Sequence, residues 1–234
     1  MNDHPTPLDR AAIPAILERL YGDAAGHTFH DVPPEPEEPP EYEGLADLLA
    51  VVRQLKQAVR GLPRDLEHVY GELTPASVHN VIDRLPGGLG AGDVFIDLGS
   101  GIGKVCVQVF LATAVGACRG IELSAPRHRQ AEAARQRLQA DYPAIFAAGR
   151  RLDFVQGDIL AADIGDATMV FLCARLFGDD LMAGIVRKMA TGCPRLRHVL
   201  STREFPFPGL AVSDTLTVYS AYAPRGESLW IYSA

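Results

Sequence analysis

The part of this 234-residue chain best suited to hold a ligand is an apolar run that ends in an acid and turns through closely spaced glycines. Val94-Phe95-Ile96-Asp97-Leu98 reads as a strand, and Gly99, Ser100, Gly101 and Gly103 as a turn that opens a helix at Lys104. Glycine supplies positive φ and lets a ligand approach a backbone that carries no Cβ. The start of a helix leaves amide donors unpaired. Asp97 adds an acceptor and a negative charge.

That carboxylate separates the possible ligands. A dinucleotide pyrophosphate would be repelled at the strand end, whereas the ammonium and sulfonium of S-adenosylmethionine would be attracted. A triphosphate-binding loop fails on spacing: counting back from Gly103-Lys104, Leu98 stands where its first glycine belongs, and Val105 replaces Ser or Thr.

Two more acids follow in register. Gly120-Ile121-Glu122 closes a second apolar run with a side chain able to accept both hydroxyls of a ribose. Gly157-Asp158-Ile159, after a third run, sets an acceptor beside an apolar residue, as an adenine requires for its exocyclic amine and ring face. Each acid alone could equally cap the next helix; three strand ends in order point to one ligand.

The elements that must position these residues alternate. Strands are predicted near Val94–Asp97, Cys118–Glu122, Leu152–Gln156, Thr168–Leu172 and His198–Ser201, with helices at Lys104–Thr113, Pro126–Ala140 and Asp180–Met189. Such alternation makes parallel β-α-β units. Beyond Ser201 the texture becomes β-branched and aromatic. VSDTLTVYSAYA and SLWIYS should form an antiparallel hairpin turning at Pro224, Arg225 and Gly226.

Upstream, Ala11–Tyr21 has helical spacing, while DVPPEPEEPPEYEG from Asp31 to Gly44 is too rich in proline for a helix or central strand and reads as an acidic connector. Leu45, Leu48, Leu49, Val52, Leu55 and Val59 mark an amphipathic helix, and a further helix is predicted at Ala76–Leu85. The expected organisation is an N-terminal segment with the connector (1–44), a helical lid with a cofactor loop (45–93) and a cofactor-binding core (94–234).

Composition narrows the class. With 47% hydrophobic residues the chain can bury one sizeable core. It has no apolar run of about 18 residues, and MNDHPTPLDR lacks the regions of a signal peptide, so a soluble, cytoplasmic protein without membrane contact is expected. A formal net charge of -7 argues against a strong nonspecific hold on nucleic acid. Cys106, Cys118, Cys173 and Cys193 stand singly without zinc spacing and read as free thiols. His27, His30 and Asp31 have a possible metal spacing but no further ligand, so no metal is expected. The arginine-rich run Arg127–Arg137 reads as a solvated helix face rather than a surface that steers an acidic partner, and Phe205-Pro206-Phe207-Pro208 as one wall of an acceptor pocket or, equally, as aromatic core.

Five parallel strands finished by an antiparallel pair resemble the Rossmann-like class I methyltransferase fold, a mostly parallel seven-stranded α/β sheet with an antiparallel C-terminal hairpin. In detail, Tyr70-Gly71-Glu72-Leu73-Thr74, DLGSGIGKVCVQV, GIE, GD and VFL followed by FG resemble the Dot1-type lysine methyltransferases over roughly Leu66 to Ala234. The resemblance implies S-adenosylmethionine as cofactor, with Tyr70, Glu72 and Thr74 folding over its methionine part. It also sets Cys173 and Ala174 where the family usually carries an Asn pair close to the methyl group and the target amine.

A protein or small-molecule methyl acceptor is therefore expected. Nucleosome binding is not, because the acidic chain lacks the basic segments of eukaryotic members. Two alternatives keep the same cofactor site: a small-molecule methyltransferase with the N-terminal helices as lid, and a catalytically silent cofactor-binding module.

Overall fold

A computed structural model describes residues 7–22, 72–220 and 223–234. All of them belong to one unit, Met1–Phe29 with Gly71–Ala234. Tyr70, the connector, the helix predicted at Leu45–Val59 and the His27-His30 pair lie outside the described residues.

Seven strands, counted among the described residues, make one sheet: β1 (Val94–Leu98), β2 (Ala117–Glu122), β3 (Arg151–Gln156), β4 (Met169–Leu172), β5 (His198–Ser201), β6 (Ala211–Ser220) and β7 (Ala223–Ser233). Their order is β3-β2-β1-β4-β5-β7-β6. The first five pair in parallel; β7 pairs antiparallel with both β5 and β6. The helices are α1 (Ile13–Tyr21), α2 (Pro75–Arg84), α3 (Lys104–Ala112), α4 (Ala125–Asp141) and α5 (Asp179–Gly192). This is the class I methyltransferase topology expected from the pattern, with the order reversing between β1 and β4. Ligands of open α/β sheets lie at the carboxyl ends of the strands beside such a reversal.

Both faces of β1 are covered, which is why all five of its residues are buried. Ile96 and Leu98 pack with Val170, Leu172, Val199 and the α5 residues Met182, Ile185 and Met189. On the other face Phe95 and Phe171 meet Val78, Val81 and Ile82 of α2 and Val105 and Val109 of α3. Asp97, two residues after Phe95, falls on this second face. Deep burial also explains α3, where Cys106, Val107, Val109, Phe110 and Leu111 leave no polar side. α4 has the opposite character: only Ala131, Ala134 and Leu138 are buried.

α1 packs against α3 and α4. Its stripe Ile13, Ile16, Leu17, Leu20 and Tyr21 is buried, and Leu8 N donates to Leu111 O at 3.0 Å. α2 is capped by Thr74, whose Oγ1 accepts from Ser77 N at 3.2 Å, with Pro75 preset for the first turn.

The hairpin corrects one expectation. Pro224, Arg225 and Gly226 lie inside β7, and Ser220 pairs with Ala223, so the reversal occurs before them. The pairing is irregular between Val218 and Ser220, where β7 supplies extra residues, and Gly226 takes φ 87° there. A Cβ on Gly226 would meet Thr217 Cγ2 at 2.6 Å. The residues that read as a turn therefore form a bulge, which uses the same glycine conformation.

Candidate functional site

The turn after β1 is held by β2. Gly99 N and Ser100 N both donate to Ile121 O, at 2.8 and 3.0 Å, and Gly101 N donates to Glu122 Oε2 at 2.8 Å. Gly103 N closes the turn onto Ser100 O at 2.9 Å. Amide donors aimed at a ligand were expected here; instead these four amides are spent internally. What the glycines contribute is conformation and close approach.

Gly99, Gly101 and Gly103 all have positive φ, at 88°, 55° and 85°. A Cβ on Gly103 would stand 2.4 Å from Phe154 Cζ, and one on Gly120 2.5 Å from Ser100 Oγ. Turn, β2 and β3 are thus pressed together only because those two positions lack side chains.

Asp97 is fully buried on the α2–α3 face, and its Oδ1 has no hydrogen-bond partner among the described residues. Burial, and secondly the nearby Glu122 carboxylate, push its carboxyl up to about 8. A buried acid without a partner is costly unless something charged or hydrogen-bonding reaches it.

Glu122 is buried as well. Its Oε1 accepts from Ser124 N at 2.8 Å and its Oε2 from Gly101 N. It therefore both ties down the turn and serves the start of α4. The Arg127 guanidinium stands 4.0 Å from the same Oε1, and each carboxylate oxygen, having two lone pairs, can accept a second hydrogen bond such as one from a ribose hydroxyl. Asp158 is exposed just beyond β3 and accepts from Leu160 N at 2.8 Å, with Ile159 buried beside it.

Lys104 turns to the 72–74 loop, where its ammonium meets Glu72 Oε2 at 2.5 Å. The ring of Tyr21 lies 5.4 Å from the same ammonium. Leu73 bridges to Ser220 and Thr74 N donates to Tyr219 O at 2.8 Å, which fastens this loop to β6. Cys173 follows β4; burial first, then the carboxylates of Glu227 and Asp97, raise its thiol to about 12, making it a poor nucleophile. Phe177 stands close over Gly99, with its Cζ 3.2 Å from where a Cβ would be.

The structure thus gathers Asp97, Gly99, Ser100, Gly101, Gly103, Lys104, Glu122 and Glu72 around the carboxyl ends of β1 and β2, while Tyr70 lies outside the described residues. Sequence reasoning missed Tyr21 and Phe177. The helical stripe that buries Tyr21 was legible, but not that its ring would meet Lys104. Of the two readings of the Phe205–Pro208 stretch, pocket wall or core, the structure favours core: Phe205, Pro206 and Pro208 line a groove with Met182 and Val186 of α5 that includes none of the site residues. Phe205 and Phe207 pack on the core, Phe205 stacking on Tyr232 at 4.9 Å. Within Arg127–Arg137, Arg135 pairs with Glu132 on the same helix and Arg137 donates to Leu20 O of α1.

The family model for the histone methylation protein DOT1 matches residues 64–217. The chain belongs to the DOT1 family. S-adenosylmethionine is the cofactor that goes with this membership. No curated protein matches it.

Among solved structures this DOT1-family chain is similar to the mitomycin 7-O-methyltransferase MmcR, at 18% identity and TM-score 0.48, over 68% of this chain and 53% of that one. The tRNA methyltransferase TrmK of B. subtilis gives 13% identity and TM-score 0.48, over 68% and 65%. Geranyl diphosphate C-methyltransferase from Streptomyces coelicolor A3(2), solved with Mg2+, geranyl diphosphate and S-adenosyl-L-homocysteine, gives 15% and TM-score 0.42, over 70% and 52%. The match thus spans about half the length of the first and third of these proteins.

The donor set suits the cofactor. A buried carboxyl with one oxygen unpartnered among the described residues matches a cationic ligand. Among the described residues no helix is long and apolar enough to cross a membrane.

Proposed function

We propose that this chain methylates an amine nitrogen, with a lysine side chain of a protein as the acceptor suggested by its family. The observation that carries the cofactor half of this reading is Asp97 Oδ1, buried beside the glycine turn with no partner among the described residues. When bound, S-adenosylmethionine supplies an electrophilic methyl group on a sulfonium.

The chain's own part is to bind, orient and exclude water. Asp97 gives up its proton to face the cationic end of the cofactor, Gly99 and Gly101 keep the approach open, and Glu122 accepts the ribose hydroxyls. Asp158 and Ile159 take the adenine. Glu72 and Thr74, with Tyr70, hold the loop over the methionine part, and Cys173 borders the methyl group as a neutral, unreactive thiol. Rate enhancement then comes from positioning and from a dry site rather than from a protein nucleophile. The domain reading that goes with this keeps residues 94–234 as the cofactor-binding core.

Calorimetric titration with S-adenosylmethionine and S-adenosylhomocysteine, with NAD as control, tests the cofactor site. Micromolar binding of the first two and none of NAD is expected. Transfer of labelled methyl groups to lysine peptides, against small phenols, tests the acceptor; label on phenols alone would overturn the amine reading.

A further inference from the structure

The ion pair between Arg175 and Glu227 joins the turn after β4 to β7 and differs sharply between its two ends. The Glu227 side chain is 13% exposed and that of Arg175 56%, at 3.2 Å separation. Glu227 is fixed a second time, accepting from Ser220 Oγ at 3.1 Å. One end of the pair is thus anchored in the protein, and the other reaches it from solvent on a long side chain.

The sheet places this carboxylate on the same face as Asp97, three strands along the order from β1. Asp97 pairs with Phe171, Leu172 with Ser201 and Ser201 with Trp230. Side chains alternate along strands, so Asp97, Cys173, Thr202 and Glu227 fall on one face. Thr202 Oγ1 accepts from Ala174 N, the residue before Arg175, at 3.1 Å. Ser220 also forms the bridge to Leu73, so the loop bearing Glu72 and Thr74 meets Glu227 through one residue. The Cys173 thiol is influenced by Glu227, Asp97 and Arg175 together, as their shared neighbourhood requires.

We propose that Glu227 selects the methyl acceptor: its carboxylate takes a cationic amine, and the guanidinium of Arg175 occupies that carboxylate until the amine replaces it. The inference rests on the methyl-transfer reading above. Its physical basis is charge balance. A largely buried carboxylate stripped of its partner is expensive, so whatever displaces Arg175 must itself be a cation. Phenols, alcohols and thiols do not meet that condition; ammonium groups of a peptide lysine or of a free polyamine do. Glu227 recognises and positions the ammonium, which must lose one proton to solvent before its lone pair can form the N–C bond as the S–C bond breaks and S-adenosylhomocysteine leaves.

The test is calorimetric titration of the protein saturated with S-adenosylhomocysteine, using tetralysine, spermidine and catechol as probes. Binding of at least one amine and not of catechol is expected. Tetralysine alone would indicate a peptide lysine, and spermidine alone a free polyamine. Glu227→Gln, which can keep the Ser220 contact, should weaken the amine at least tenfold while S-adenosylhomocysteine affinity stays within twofold. Glu227→Asp should recover part of that loss, Arg175→Met should tighten the amine severalfold, and Asp180→Asn, a charge control on exposed α5, should change neither.

Equal amine affinity in wild type and Glu227→Gln, or binding of catechol alone, would overturn the assignment. Failure of the wild type to bind S-adenosylhomocysteine would instead overturn the cofactor reading, and this inference with it.

Discussion

Lys104 Nζ lies 2.5 Å from Glu72 Oε2, with side chains only 11% and 13% exposed, so the first turn of α3 and the 72–74 loop are locked together by a nearly buried ion pair. Tyr21 of α1 contributes its ring beneath the ammonium, at 5.4 Å. One cation thus joins the N-terminal helix, the glycine turn and the loop read as covering the cofactor.

Removing one partner of such a pair strands the other. Lys104→Met leaves the Glu72 carboxylate buried and alone, a loss of about 3–5 kcal/mol. A fall in Tm on the order of 10 °C is expected by differential scanning calorimetry, together with weaker S-adenosylmethionine binding. Adding Glu72→Gln should recover most of the Tm but not the affinity. An unchanged Tm in Lys104→Met would show that the pair is immaterial.

Asp97 should set stability and binding against each other. Its folded carboxyl titrates near 8, well above the ordinary 3.8, chiefly because it is buried. A group raised in this way gives its full stabilisation below pH 3.8 and loses it as pH climbs to 8. Asp97→Asn cannot ionise, so its Tm advantage over wild type should widen from pH 5 to pH 8 and then level off. The same substitution should abolish S-adenosylmethionine binding. In the wild type, binding at pH 7 should release a proton, seen as a dependence of the calorimetric enthalpy on buffer ionisation heat. A Tm difference independent of pH would rule out a raised Asp97.

Arg150 offers a purely structural contrast. Its guanidinium is buried and donates to the carbonyls of Phe110, Thr113, Val115 and Ile145, with the Phe110 ring 4.1 Å away. Lys has neither the planar fork nor five donors. Arg150→Lys is therefore expected to orphan carbonyls at about 1–3 kcal/mol each, lowering the urea midpoint without changing cofactor affinity in the folded protein. A loss of affinity matching the loss of stability would place Arg150 in the site after all.

Much of the parallel half of the sheet was legible because β1, β4 and β5 are short, apolar and buried on both sides, and α2 and α5 carry apolar stripes at helical spacing. His198–Ser201 was placed to the residue, and the other strands to within one. The hairpin turn was misplaced because Pro224-Arg225-Gly226 has turn composition, and a bulge demands the same φ > 0 at Gly226 that a turn would. Its identity depends on what lies across the sheet: Thr217 and Tyr219, on another strand, decide it.

The glycine turn, Asp97 and Glu122 were visible in the order of residues alone, since a local strand-turn-helix needs only neighbours in sequence, and so was the family that this pattern marks. What each donor and acceptor does was decided by the fold. The turn amides meet Ile121 and Glu122 because β2 is brought beside β1 by a crossover helix. Lys104 meets Glu72 and Tyr21, and Arg175 meets Glu227, across long stretches of chain. Asp97 titrates near 8 because apolar layers close over both faces of β1, and burial is a property of the packed molecule that one segment does not carry.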